Sequence, residues 1–346
     1  MHRNPSPPDG LPLPDEAGQE RLLLLDLVRS TEAAALRAAR LMGKGDPDAV
    51  ELEAAEGMRG MLNQLPFRGR VVIRAGPGRP SGQLLPGERI GGGGAGTPEL
   101  DVAADPVEGP RLVADGLPNA LSVFVAANAG SLHSVRCQYM NKIAVGPRGR
   151  GRIDLRAPVR ENLRAVAAAM RRKIRDLTVV ILNRPRHTAL IQDVRSIGAR
   201  IKLISDGDLA ASLAAAMEDS GVDVVLGIGG SAEAVLSAAA LRCVGGEIQA
   251  EPWFADDASR IQYLAEGHAP EKVFTTEDLA AGPGIILAAT GITDGDLLRG
   301  ARFQGDRART FSVLMRARTG TIRFIETFHN LAGISEKRGG YLPPAR

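Results

Sequence analysis

The sequence predicts an α/β protein of two lobes, the second built on a largely parallel sheet. Three observations predict it. From Leu177 onward, short apolar runs alternate with helix-patterned runs at the spacing of βαβ units. A chain of 346 residues, 44% of them apolar, is long enough for one large core and suits two packed lobes better. Aromatic residues make up only 3%, so the core must be built from Leu, Val, Ile and Ala.

The elements follow in order. Residues 1 to 20, MHRNPSPPDGLPLPDEAGQE, are rich in Pro, Gly and acid and read as a disordered tail. From Arg21 to about Met42, Leu, Ala and Val recur on one helical face. GKGDPDAV interrupts this helix, and ELEAAEGMRGMLNQL forms a second. RVVI is a short strand, followed by a Gly/Pro loop running to GGGGAGTP at 91–98; ELDVAADP and ALSVFVAANAG are further strands. The second half repeats one rhythm. LTVVILN leads into RPRH and a helix, ARIKLIS into DGD and LAASLAAAM, and VDVVLGI into GGSAE and AVLSAAALR. GIILAAT then leads into GITDGDLL. Ligands bind at the carboxyl ends of strands in such sheets. That is where Arg184, Arg186, Asp206, Asp208, Gly229, Gly230 and Glu233 stand.

Composition excludes several classes. The net charge is only +3, and no basic run interleaved with aromatics suggests nucleic acid. Two cysteines, Cys137 and Cys243, lie far apart and match no metal-ligand spacing, which fits a reduced, cytoplasmic compartment. The apolar run LLLLDLV is broken by Asp26 and is neither a signal peptide nor a membrane span.

Four clusters carry chemistry. RPRH, Arg184 to His187, puts two guanidinium forks on one loop, suited to phosphate or to a solvated surface; His187 alone reads as structural. In DGD, Asp206 and Asp208 suit sugar hydroxyls, although Asp208 would also cap a helix. GIGG, Gly227 to Gly230, opens a helix whose N-terminus suits an anion, a weak signal since Gly-rich βα turns are common. Glu233, one turn further, either compensates the helix dipole or binds a metal. In ADPVEG, Asp105 and Glu108 flank a turn within reach of one or two hard cations, against the alternative of an ordinary acidic turn.

Taken together, STEAAAL, GKGD, MRGMLN, VVI, DVAADPVEG, NALSV, YMNKIAVGP, GRIDLRAPVRENL, RPRH, DGDLAAS, GIGGSAE and ATGITDGDLL stand in the order and spacing of the class II fructose-1,6-bisphosphatases, which the chain resembles from about Arg21 to Asn330. The resemblance implies a layered sandwich of two α/β lobes, of the fructose-1,6-bisphosphatase and inositol-monophosphatase type. It implies a metal-binding lobe over 21–155, a sugar-phosphate-binding lobe over 156–335 and a tail over 336–346. It further implies hydrolysis of a sugar (bis)phosphate with Mn2+ or Mg2+ and a homo-oligomer. The metal ligands it implies are Glu51, Asp105, Glu108 and Glu233, with Asp105 and Glu108 at the reacting centre. The implied substrate residues are Gly109, Arg111, Tyr139, Arg184, Arg186, Asp206, Asp208 and Gly230.

Three positions depart from the family pattern. Glu51 stands for an Asp. In VVIRAGPGRP, Ala75 stands for a metal-binding Glu, and Pro77, Arg79 and Pro80 replace neighbouring acids. Pro110 stands for a Thr whose hydroxyl orients the attacking water. Arg74 and Arg79 bring positive charge where the family has carboxylates, and Glu88, Glu99 or Asp101 are candidates to replace the missing acid. The sugar-phosphate side is complete. The same pocket therefore also suits a non-catalytic sugar-phosphate-binding protein, or an isomerase, epimerase or lyase acting on a sugar phosphate.

Overall fold

The computed structural model describes residues 16–76, 84–94, 96–217 and 220–331. Two helices open the chain, α1 (Glu16–Ala39) and α2 (Pro47–Leu62). The break between them is chemical: the Asp46 carboxylate accepts the Asp48 and Ala49 amides, and Pro47 takes the first helical position, where no amide is needed. Helix α1 begins inside the stretch expected to be a tail; residues 1–15 and 332–346 lie outside the described residues, as do Pro77, Arg79 and Pro80.

The first sheet collects β1 (Arg68–Arg74), β2 (Arg89–Ile90), β3 (Glu99–Glu108) and β4 (Leu121–Asn128) from the first half of the chain. From the end of the chain it takes β11 (Ile286–Gly291), β12 (Arg302–Gln304), β13 (Arg307–Arg316) and β14 (Thr321–Asn330). Their order is β12-β13-β11-β4-β3-β1-β2, with β14 on β13. The second sheet contains β5 (Tyr139–Val145), β6 (Thr178–Leu182), β7 (Arg200–Ile204), β8 (Val224–Gly230), β9 (Glu247–Trp253) and β10 (Phe274–Thr275), in the order β10-β9-β5-β8-β6-β7. Among the remaining helices are α3 (Pro110–Ala114), α4 (Val159–Ala169), α5 (Thr188–Ile197), α6 (Asp208–Ala216), α7 (Ser231–Val244), α8 (Asp257–Ala265) and α9 (Thr276–Leu279).

The sheets stack into five layers. Alternate residues of the first sheet, such as Val102, Ala104, Phe124 and Ala126, pack on Leu27, Val28, Ala54 and Met58 of α1 and α2. The intervening residues, such as Ala103, Val123 and Val125, pack on Leu209, Leu213, Ala234 and Leu241 of α6 and α7. Helices α6 and α7 also meet the second sheet through Met140, Ala144, Val225 and Ile248, and α4 and α5 cover its outer face. A helix pressed between two sheets is apolar all round, which is why LAASLAAA and AVLSAAAL are Ala-rich. Among the described residues no helix is long and apolar enough to cross a membrane.

Two expectations need correction. The second sheet is mixed: β6 pairs in parallel with β7 and β8, but β5 runs antiparallel to β8 and β9, and β9 antiparallel to β10. Sheet membership also ignores a boundary near residue 155. Strand β5 precedes that point yet lies in the second sheet, and β11, read as the next βα strand of the second half, pairs antiparallel with β4 in the first. Local patterning specifies a strand, but the partner is chosen by long-range packing.

Candidate active site

Asp105 and Glu108 stand three residues apart on β3, so a regular strand would point them to opposite faces. The register solves this. Asp105 pairs with Val123 and Glu108 with Leu121, three steps on β3 against two on β4. The extra residue is a bulge, and Pro106, which has no amide to offer a ladder, lies within it. The bulge returns both carboxylates to the side of α6 and α7. There the Leu209 amide, in the first turn of α6, donates to Glu108 Oε1 at 2.9 Å. Glu233 enters from the first turn of α7, and ligand atoms of Asp105, Glu108 and Glu233 all lie within 4.8 Å of one another. Asp105 is 1% exposed, and its Oδ1 has no hydrogen-bond partner among the described residues.

This cluster fits a hard cation: three oxygen donors, two of them buried and one orphaned, around one point. Without positive charge between them the acids resist ionisation. Burial, and then the charge of Asp105, push Glu108 well above the usual carboxylate range. Burial also raises Asp105, and burial with the charge of Asp208 pushes Glu233 up to about 7.

Glu51, expected to hold metal with these acids, is closed by an arginine. Its Oε1 accepts from Arg74 at 2.5 Å, with both side chains about 5% exposed or less. Burial pushes Glu51 up to about 8 against the pull of Arg74. Ala75 is buried in the apolar cluster with Ile73 and Ala103, so the position of the absent carboxylate has become core. The candidate replacements are also committed: Glu88 pairs with Arg59, Glu99 pairs with Arg68, and Asp101 accepts the Leu132 amide. Pro110 opens α3 directly after Gly109, which takes φ +77.

Sequence reasoning missed Lys142, a 2%-exposed lysine in the middle of β5 whose Nζ lies 2.5 Å from Asp208 Oδ2. A lysine inside an otherwise apolar strand, YMNKIAV, was the available signal. Asp208 therefore holds a buried ammonium and does not cap α6 with its side chain. The glycines of GIGG serve close approach. A Cβ on Gly229 would fall 2.0 Å from Asp208 Oδ2, and one on Gly230 would fall 1.8 Å from Glu233 Oε2.

The arginine side is more open. Arg184 pairs with Asp206 at 3.0 Å; Arg186 donates to the Ile228 carbonyl at 3.0 Å and lies over the Tyr139 ring, 5.1 Å from its centroid. Tyr139 packs edge-on against Trp253 and pairs in register with Gly230. Gly109 lies against Asp206, whose carboxyl burial raises against the pull of Arg184 and of the exposed Arg111. His187 is structural, as expected: Nδ1 donates to the Leu182 carbonyl and Nε2 accepts the Ile228 amide, each at 2.7 Å.

A carboxylate cluster beside arginines suited to phosphate, between α/β layers, defines the class of sites at which metal-assisted phosphoryl transfer takes place. Comparison with known proteins then gives the family. Residues 21–329 match the model of the bacterial fructose-1,6-bisphosphatase, glpX-encoded. The chain is 39% identical over 330 residues to a D-fructose 1,6-bisphosphatase class 2/sedoheptulose 1,7-bisphosphatase of Synechococcus sp. (strain JA-3-3Ab), covering 88% of this chain and 94% of that one. It is 36% identical over 335 residues to the protein of the same description from Gloeobacter violaceus, covering 90% and 97%. The chain belongs to the bacterial fructose-1,6-bisphosphatase family.

Proposed function

We propose that this chain is a sugar-bisphosphate phosphatase, acting on fructose 1,6-bisphosphate or sedoheptulose 1,7-bisphosphate, the sugars named for its relatives. It would work in the cytoplasm as a homo-oligomer, with Mn2+ or Mg2+. One observation carries the reading: the converging carboxylates of Asp105, Glu108 and Glu233, two of them buried and one with an orphaned oxygen, beside a phosphate-suited arginine pair. A divalent cation held by those three acids would polarise phosphoryl oxygens and acidify the attacking water.

The chain's own residues do the rest. Arg184 and Arg186 hold the phosphate remote from the reaction, and Tyr139 steadies Arg186 from below. Asp206 accepts from sugar hydroxyls. Lys142 pairs with Asp208 and fixes it at the start of α6. In the reaction a water oxygen bonds to phosphorus, the phosphorus–sugar oxygen bond breaks, and a proton passes to the leaving sugar oxygen. Pro110 has no hydroxyl to offer the attacking water, whose proton is the one returned to the leaving sugar oxygen.

Phosphate release from both bisphosphates, measured with Mn2+ or Mg2+ and abolished by chelator, is the expected result. No release from either sugar, with binding retained, would overturn the reading. That outcome is the second reading, a sugar-phosphate-binding protein without hydrolysis, which the losses at Ala75 and Pro110 favour.

A further inference from the structure

Charge accounting around the site is uneven. Five carboxylates converge there: Glu51, Asp105, Glu108, Asp208 and Glu233. Two built-in cations answer two of them, Arg74 on Glu51 and Lys142 on Asp208. The three left over are the three whose oxygens converge within 4.8 Å. A single divalent ion suits that remainder. Glu51 stands apart from it, closed by a guanidinium that is always charged and is 4% exposed.

Arg74 also carries an open donor. Its Nε is buried and has no hydrogen-bond partner among the described residues. The backbone sets its partner: Arg74 pairs with Ala104 across β1 and β3, on the sheet face that α2 covers and from which Glu51 reaches it.

We propose that Arg74 is a resident cation taking the part of a second metal ion, so that the chain binds one divalent ion per active site. The guanidinium neutralises Glu51, which a second ion would otherwise do. This inference rests on the phosphatase reading for its catalytic meaning, but the ion count is independent of turnover.

The test is equilibrium dialysis of the full chain with Mn2+, together with electron paramagnetic resonance of the loaded protein. One ion per chain and the spectrum of an isolated ion are expected. Two ions, with the exchange-coupled spectrum of manganese sharing carboxylates, would overturn the proposal; no bound ion would do the same. Glu233→Gln should weaken the ion about tenfold or more. Glu51→Gln should leave the count at one and the affinity within about threefold of the starting protein, since metal-shell losses cost about tenfold or more. If lone Arg74 unfolds that variant, the pair Glu51→Leu and Arg74→Leu removes both charges and must give the same count. A tenfold loss in either would make Glu51 a ligand and end the proposal. The pair Arg74→Gly and Ala75→Glu should admit a second, coupled ion; a count that stays at one would show that Arg74 is not what excludes it. Phosphate release with two ions bound would overturn this inference and leave the phosphatase reading standing. One ion without release would do the reverse.

Discussion

On the carboxylate side of the site, the Lys142–Asp208 and Arg74–Glu51 pairs leave their cations 2% and 4% exposed; on the arginine side, Arg184 and Asp206 remain 35% and 32% exposed. The buried side keeps orphaned polar atoms at Asp105 Oδ1, Glu51 Oε2 and Arg74 Nε, whereas the open side satisfies its guanidiniums with a carboxylate, a carbonyl and an aromatic face. The difference follows from dielectric. Charges removed from water must be matched in place, so the buried side is built for permanent partners. Half-solvated charges exchange partners cheaply, which suits a substrate that comes and goes.

The comparison breaks most sharply at Asp105. Asp105→Asn removes the orphaned ligand, and phosphate release should fall at least about 100-fold while chemical denaturation shows the metal-free fold no less stable. The next largest effect is on stability. Lys142→Met leaves Asp208 buried without its cation and should cost about 3–5 kcal/mol in urea unfolding. Arg184→Ala, the matching cut on the open side, should cost less than about 1 kcal/mol of stability. It should raise KM for a bisphosphate roughly 10- to 100-fold, the worth of a charge-assisted hydrogen bond of about 1.5–3 kcal/mol. Equal stability losses for Lys142→Met and Arg184→Ala would remove the distinction altogether.

The smallest effect is a pH dependence of the open side. Burial holds His187 below the ordinary imidazole value, and its Nε2 must stay unprotonated to accept the Ile228 amide. The unfolded chain therefore binds the proton first, and stability is intact above the unfolded imidazole pKa of about 6.5 and falls as pH drops below it. Urea melts between pH 7.5 and 5.5 should show this loss, and His187→Gln should flatten it.

Local patterns carried much of the molecule. The two opening helices, the βα alternation of the second half and the acid pair of ADPVEG follow from periodicity, Pro and Gly placement and side-chain chemistry within a dozen residues. Legibility failed where a neighbour lies far along the chain. Strand β11 reads like any βα strand, yet its partner is β4, some 160 residues earlier, so it leaves the second sheet for the first. Glu51 and Arg74 look like a ligand and an intruding charge, and only folding brings them to 2.5 Å.

Determined by sequence alone were the α/β class, the residue types of the site and the absence of a carboxylate at Ala75 and a hydroxyl at Pro110, because composition and local spacing suffice for these. Tertiary structure decided the rest. A bulge at Pro106 gathers Asp105 and Glu108, Lys142 claims Asp208, and Arg74 claims Glu51. Which charges cancel depends on which side chains share a buried volume, and that is fixed only when the two sheets close on α6 and α7.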